Sequence, residues 1–476
     1  MGLFTKKAIS DLQAEADRGL LRRSLGPWNL TALGIGCIIG TGIFVLTGTA
    51  ASQNAGPALV FSMILSASGC AFAGLCYAEF AAMVPVAGSA YTYAYATIGE
   101  LFAWIIGWDL ILEYSISTST VAVGWSGYFV SLMRDIGFTV PTSLAGPPGA
   151  FNLPAFAIVL LVAALLVIGI KESANTNTLL VAVKSIVLVV FIVAGASYVS
   201  RDNLTPLVPP NTGTFGEFGW SGVLRGAGVM FFAYIGFDAV STAAQEARNP
   251  ARDMPIGILG SLAICTVIYV LVAIVLIGIV PYSELNVADP LAVGIDATGI
   301  RWLSPVIKVA ALFGLFSTML VNLLAQTRIF YSMSRDRLLP PIFSVVHARF
   351  RTPHASTIMT GVVIALVAGL TPIGVLGQLV SIGTLLAFVL VCIGVIILRR
   401  TAPDIPRPFR TPGVPYVPIL GAIICLAQMI GLPVATWERL VIWLVIGLAV
   451  YFSYGRWNAL AGAVIGSKDS KVSVTP

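Results

Sequence analysis

Charge is what this chain has least of. Only 10% of its 476 residues are Asp, Glu, Lys or Arg, while 57% are apolar; an ordinary soluble domain carries roughly 25% charged residues. So little charge cannot cover a water-facing surface of this size, and the solvent for most of the chain must be lipid. Histidine is nearly missing: His347 and His354 flank a basic loop, form no cluster and read as solvated loop residues. The cysteines (Cys37, Cys70, Cys76, Cys265, Cys392 and Cys425) lie in apolar segments without metal-ligand spacing, as small buried hydrophobes do. No metal and no cofactor is expected. The net charge of +6 suggests an anionic partner, yet the basic residues sit mostly in alternate loops, so topology explains them better than nucleic acid does.

What is present is a series of apolar runs of 18 or more residues, recurring from Leu30 to Tyr451. Punctuated by Gly, Pro and charge, they predict spans near 29–52, 57–80, 98–133, 154–171, 176–199 and 219–245. A second set follows near 256–281, 303–333, 355–371, 374–399, 416–435 and 438–456. The expected fold is an all-α polytopic membrane protein of about twelve transmembrane helices occupying 28–457. Residues 1–27, with Lys6, Lys7, Asp11, Glu15, Asp17, Arg18, Arg22 and Arg23, lack the apolar core and cleavage site of a signal peptide. They are expected to stay as a cytoplasmic amino-terminal segment, with 458–476 as a cytoplasmic tail. Lys and Arg resist translocation. With the amino terminus inside, the inner loops hold Arg335, Arg337, Arg349, Arg351, Arg399, Arg400, Arg407 and Arg410, whereas the outer loops and margins keep Arg134, Arg201, Arg301 and Arg439. Both termini are therefore expected in the cytoplasm, in the cell membrane.

Two spans carry signs of a break. The first reads Gly34-Ile35-Gly36-Cys37-Ile38-Ile39-Gly40-Thr41-Gly42-Ile43-Phe44, and each glycine weakens a helix by roughly 1 kcal/mol relative to Ala. Close packing through Gly36 and Gly40 is the competing explanation. Against it, Gly40-Thr41-Gly42 puts flexible residues on successive faces, which suits an unwound turn whose amides bind an anion. The sixth span reads Phe231-Phe232-Ala233-Tyr234-Ile235-Gly236-Phe237-Asp238, a glycine beside an intramembrane acid. Five spans separate the two, so they enter from opposite faces, as an inverted five-plus-five repeat with a closing pair of helices demands.

These stretches carry a resemblance. The chain resembles the amino acid, polyamine and organocation (APC) transporter superfamily, most closely its cationic amino acid transporter family. The marks are GIGCIIGTGIF in the first span, GWDLILEY at Gly107 to Tyr114, FFAYIGFDAVSTAAQE at Phe231 to Glu246, NPARDMP at Asn249 to Pro255 and QTRIFYSMSRDRLLP at Gln326 to Pro340. It departs at Gln245, where relatives tend to carry an acid, and at Arg337, where they often have Gly. The resemblance implies a secondary active transporter and not an enzyme, working by alternating access with an amino acid as substrate. It also implies that amides around Gly40, Thr41 and Gly42 hold the carboxylate, while freed carbonyls near Ile38, Phe232, Ala233 and Ile235 take the ammonium. Phe231, Ile235, Glu113 and Met319 are candidates to line the side-chain volume. A small membrane-protein partner is left open.

Lys184 stands about nine residues into the fifth span, roughly 13 Å from its cytoplasmic end. Snorkelling from that depth bends the bilayer, whereas intramembrane charge normally faces the protein interior. Burial disfavours the ammonium, so the amine can gain and lose a proton in each cycle and couple transport to protons. The resemblance implies that such a lysine contacts the broken first helix in place of a sodium ion. Asp109 and Glu113 share one face of the third span, and Asp238 follows the second break; each is placed to pass protons or to receive a basic substrate. Glu79 reads as interfacial, and Trp220 and Trp437 as interface anchors. Arg328, Arg335 and Asp336 gather at the inner end of the eighth span, where pairing with Glu246 or Asp253 would close the inside. Ser317 and Thr318 offer the alternative of sodium ligation and exchange-type or sodium-coupled transport. A channel is disfavoured because no filter-like segment is present, and Met319 argues for a small neutral substrate where Glu113 argues for a cationic one.

Overall fold

The computed structural model describes residues 6, 25–83, 89–145, 151–169, 174–242, 244, 247–350 and 352–458. Most of the amino-terminal segment, the tail from 459 onward, Arg351, Gln245 and Glu246 lie outside the described residues.

In hydrocarbon a peptide group has no water to bond, so each apolar run closes its hydrogen bonds within itself. Among the described residues the chain is helical throughout, with a lone β-bridge between Leu25 and Ala247. Helix α1 (Pro27–Ile38) stops at Ile39, and the chain resumes through Gly42–Leu46, Thr47–Ala50 and Ala51–Ala55, together α2. Gly56, at φ 57°, turns it into α3 (Leu59–Met83). There follow α4 (Ser89–Thr97), α5 (Glu100–Asp135), α6 (Leu153–Ile168) and α7 (Ala174–Gly195). Helix α8 (Gly219–Met230) tightens into a 3₁₀ turn at Phe231–Tyr234 and breaks. Beyond it come α9 (Pro250–Ile279), α10 (Pro290–Ala297), α11 (Leu303–Arg335), α12 (His354–Leu370), α13 (Ile373–Thr401), α14 (Tyr416–Gly431) and α15 (Val434–Val450).

Among the described residues six helical stretches are long and apolar enough to cross a bilayer: Gly42–Met83, Val181–Tyr198, Pro250–Ile279, Leu303–Arg335, Ile373–Thr401 and Val434–Asn458. Three shorter apolar helices, α6, α12 and α14, accompany them. The first run enters this set only through its second half, joined to α3 in Gly42–Met83, and the sixth run falls outside it because it is interrupted. Pieces of 12 residues, α1 and α8, reach about 18 Å against a hydrocarbon core of about 30 Å. Helices α4 and α10 have no counterpart among the expected spans. The third run, expected near 98–133, is α5 at Glu100–Asp135, and Gly99, at φ 130°, separates it from α4.

Helices α5 and α11 run antiparallel along one another. Asn322 donates to Ser117 at 2.8 Å near their middle, and Lys308 reaches Asp135 at 2.6 Å at one end. Toward the other end a Cβ on Gly107 would stand 2.8 Å from the Met333 sulfur. Arg337, just past α11, adopts φ 61°. This left-handed C′ position of a helix is where glycine is favoured.

Glu79, near the end of α3, is 1% exposed and accepts two bonds from the Arg399 guanidinium, at 2.9 and 2.8 Å, and one from the Thr411 amide at 2.8 Å. Arg407 adds a contact at 3.4 Å and donates to the Leu398 and Ala402 carbonyls at the end of α13. The acid thus ties α3 to α13 and the loop beyond it. Of the predicted anchors, Trp220 is exposed, and Trp437 is half-buried with its indole N–H on the Met429 carbonyl.

Candidate functional site

The four glycines of the first run divide by task. A Cβ on Gly34 would fall 2.4 Å from the Ser261 hydroxyl, and one on Gly36 would fall 2.5 Å from Val181, so these two admit α9 and α7. Gly40 and Gly42 flank the interruption. Ile39 is extended at ψ 99°, and Thr41 begins the next helical segment. A Cβ on Gly42 would lie 2.2 Å from Cα of Ala233. On the other side, Ile235 is extended at ψ 138°, and Gly236, at φ 119°, brings its Cα against the Cys37 carbonyl, where a Cβ would stand 2.8 Å away. The two breaks therefore meet backbone to backbone.

Such breaks leave peptide groups that the helix ladder does not use. At the start of the second half-helix the N–H groups point along the positive end of the dipole. The Thr41 hydroxyl beside them is buried and has no hydrogen-bond partner among the described residues. Part of the carbonyl set is occupied. Lys184, wholly buried, donates through Nζ to the Gly36 carbonyl and to that of Ile39 at 2.9 Å. The Tyr269 hydroxyl donates to the Ile38 carbonyl at 2.8 Å, and Tyr128 to that of Phe44 at 2.7 Å. Gly314 of α11 makes room for the lysine stem, since a Cβ there would touch Lys184 at 3.4 Å.

The remaining candidates sit around this centre. Phe231, fully buried, packs edge-on against Phe388 at 5.3 Å, whereas Phe232 belongs to a smaller apolar cluster with Leu112 and Ile116. Met319 is buried in the main core, and Thr318 lies beside Gly40, its own hydroxyl given to the Gly314 carbonyl at 3.0 Å. Asp238 accepts from the Gly236 amide at 3.2 Å and from Tyr114 at 3.5 Å. Asp109 and Glu113 are each 1% exposed; among the described residues neither Asp109 carboxyl oxygen has a hydrogen-bond partner, and Glu113 stands beside the Thr384 hydroxyl. Asp109 rests against Gly383, where a Cβ would approach Oδ1 to 2.7 Å. Arg328 is exposed, Asp336 accepts from Tyr91 at 2.7 Å, and Asp253 caps the Asn249 amide at 3.0 Å. Glu246 falls outside the described residues.

One side of the centre is covered by the segment 285–297, which the sequence reading missed. A Cβ on Gly48 would lie 2.2 Å from the Leu285 carbonyl, and one on Gly127 would lie 2.4 Å from Ala288. Buried Lys308 pairs with Asp135 at 2.6 Å and with Asp296 of α10 at 3.7 Å. Proline at 290 and glycines at the contact points were the available signals, but neither marks a long-range partner.

Membrane-length helices around two interruptions that meet at buried peptide groups define a multi-pass membrane protein with a discontinuous-helix centre. The chain belongs to the amino acid permease family, whose model matches residues 25–451. Its relatives are named transporters and permeases. The methylthioribose transporter of Bacillus subtilis (strain 168) is 47% identical over 463 residues, covering 96% of this chain and 99% of that protein. The branched-chain amino acid permease BcaP of the same organism is also 47% identical, covering 95% and 98%. Cationic amino acid transporter 4, vacuolar, of Arabidopsis thaliana is 38% identical over 388 residues, which are 81% of this chain and 64% of that protein.

Proposed function

We propose that the chain imports an L-amino acid across the cell membrane in symport with protons, by alternating access, with both termini in the cytoplasm. In this reading the first ten of twelve spans form two inverted five-span repeats. The observation that carries it is the approach of Gly42 to the Ala233 backbone with Lys184 on the carbonyls of Gly36 and Ile39. The substrate carboxylate would lie on the amides of Gly40, Thr41 and Gly42. Its ammonium would lie on carbonyls near Ile38, Phe232, Ala233 and Ile235, with Phe231 and Met319 as nearby walls. Any α-amino acid satisfies those backbone contacts.

Coupling is assigned by charge. Sodium ligation by Ser317, Thr318 and carbonyls of the first break would need oxygens next to those that Lys184 already engages, and a cationic amine repels a cation at that range. Lys184, Glu113 and Asp238 are therefore given the proton, and Arg328 with Glu246 the inner gate. The test is uptake by purified protein in liposomes, driven separately by a pH step and by a sodium gradient. Transport that follows sodium and ignores pH overturns the coupling.

A second reading is favoured by one relative: transport of methylthioribose. An uncharged thioether sugar would give the break's amides no carboxylate to bind, so labelled methylthioribose belongs in the same uptake panel. Its transport in the absence of any amino acid transport would replace the first reading.

A further inference from the structure

We infer that Asp109 is the inner station for the coupled proton: its carboxyl takes the proton from Glu113 and passes it to water on the cytoplasmic side. This rests on the proposal above that transport is proton-coupled, with the start of α5 toward the cytoplasm.

Asp109 stands about 13 Å along α5 from Glu100, and Glu113 about 6 Å further in on the same face. It is 1% exposed, and among the described residues neither of its oxygens has a hydrogen-bond partner. The carboxyl lies against the backbone of α13, where a Cβ on Gly383 would meet its two oxygens at 2.7 and 3.3 Å. The neighbouring hydroxyls of α13 are turned away: Ser381 and Thr384 donate to the Gly377 and Val380 carbonyls of their own helix, at 3.2 and 3.1 Å. Among the described residues the other elements packed on this turn bring no positive charge. Trp108 stacks on Trp443 of α15 at 4.6 Å, and Gly107 admits Met333 of α11 and the Tyr91 ring of α4.

A buried carboxyl that serves only the fold has a donor or a cation, as Glu79 has in Arg399. Asp109 has neither, so a carboxylate there is costly while the seam between α5 and α13 stays dry. Water entering the seam removes that cost and lets the proton go. The donor is one turn inward, at Glu113, with Asp238 beyond it. The way out lies beside Gly107, where the Tyr91 hydroxyl donates to half-buried Asp336 at 2.7 Å. One proton moves from the Glu113 carboxyl to the Asp109 carboxylate and then to water as hydronium, and no other bond changes.

The test uses the full chain in liposomes holding a trapped pH-sensitive dye, with a pool of the labelled standard amino acids as probe. Asp109→Asn is expected to lower both proton entry and accumulation under a pH step by about a hundredfold. Exchange of internal for external amino acids at equal pH moves no net proton and should fall far less. Should that variant fail to insert, Gly383→Ala decides: its methyl displaces the Asp109 carboxyl without removing it, and must depress proton-driven uptake more than exchange. Proton entry at the wild-type rate in Asp109→Asn overturns the inference. An equal loss of accumulation and exchange overturns it too, since Asp109 would then be a structural acid. A wild type that moves amino acids without regard to pH, or moves none, brings down the underlying reading instead.

Discussion

Lys184 was legible because depth alone makes a lysine conspicuous: an amine in mid-span must find acceptors, and the broken helix supplies them. Lys184→Ala is expected to abolish accumulation against a pH gradient; full gradient-driven uptake by that variant would give the lysine a structural role. The glycines were legible as a group but not individually. Gly42→Ala places a methyl 2.2 Å from backbone, which cannot rotate away, so transport should be lost in protein that still inserts. Gly40→Ala meets only the Thr318 side chain, at 3.2 Å, and should cost far less. Equal activity of the two variants would show that the breaks need not touch. The partners of Glu79 were not legible because Arg399 and Thr411 are more than 300 positions away, and a hydropathy pattern carries no pairing. Glu79→Gln leaves two guanidinium groups facing an uncharged amide. It should cost on the order of 3 kcal/mol, read as a lower melting temperature in detergent, and an unchanged melting curve would make the cluster energetically idle.

At the scale of elements, long apolar runs announced α3, α9, α11 and α13 because a continuous hydrophobic stretch has few other stable states in lipid. Helices α4 and α10 escaped notice because short helices held by tertiary contacts have no period of their own to display. Asp289, immediately before α10 and outside the spans, shows what holds that segment. Burial is the largest influence on its carboxyl and raises it above the ordinary value, while the Ser131 hydroxyl, Lys308 and Arg134 pull the other way. A carboxyl raised in the folded state is at no disadvantage below its unfolded pKa of about 4, where both states are protonated. Its charging costs stability as pH rises from there through the higher folded value. Asp289→Asn should therefore match the wild type in acid and exceed it at neutral pH in thermal denaturation. A variant less stable than the wild type at neutral pH would mean that the bond with Ser131 and the nearby cations outweigh burial.

Over the whole molecule, hydropathy located the membrane domain, but crossing direction follows from where Lys and Arg lie, which no intramolecular contact records. Orientation is open to labelling because the native cysteines are poor targets: five of the six are buried and Cys37 is half-buried. Thr212 and Arg349 are both exposed in loops, and the charge asymmetry assigns them to opposite faces. Thr212→Cys should react with a membrane-impermeant maleimide added to intact cells, and Arg349→Cys should react only after permeabilisation. Labelling of Arg349→Cys from outside would invert the topology. The covered face at 285–297 would then be cytoplasmic, and a proton gradient would act on Lys184 from the other side.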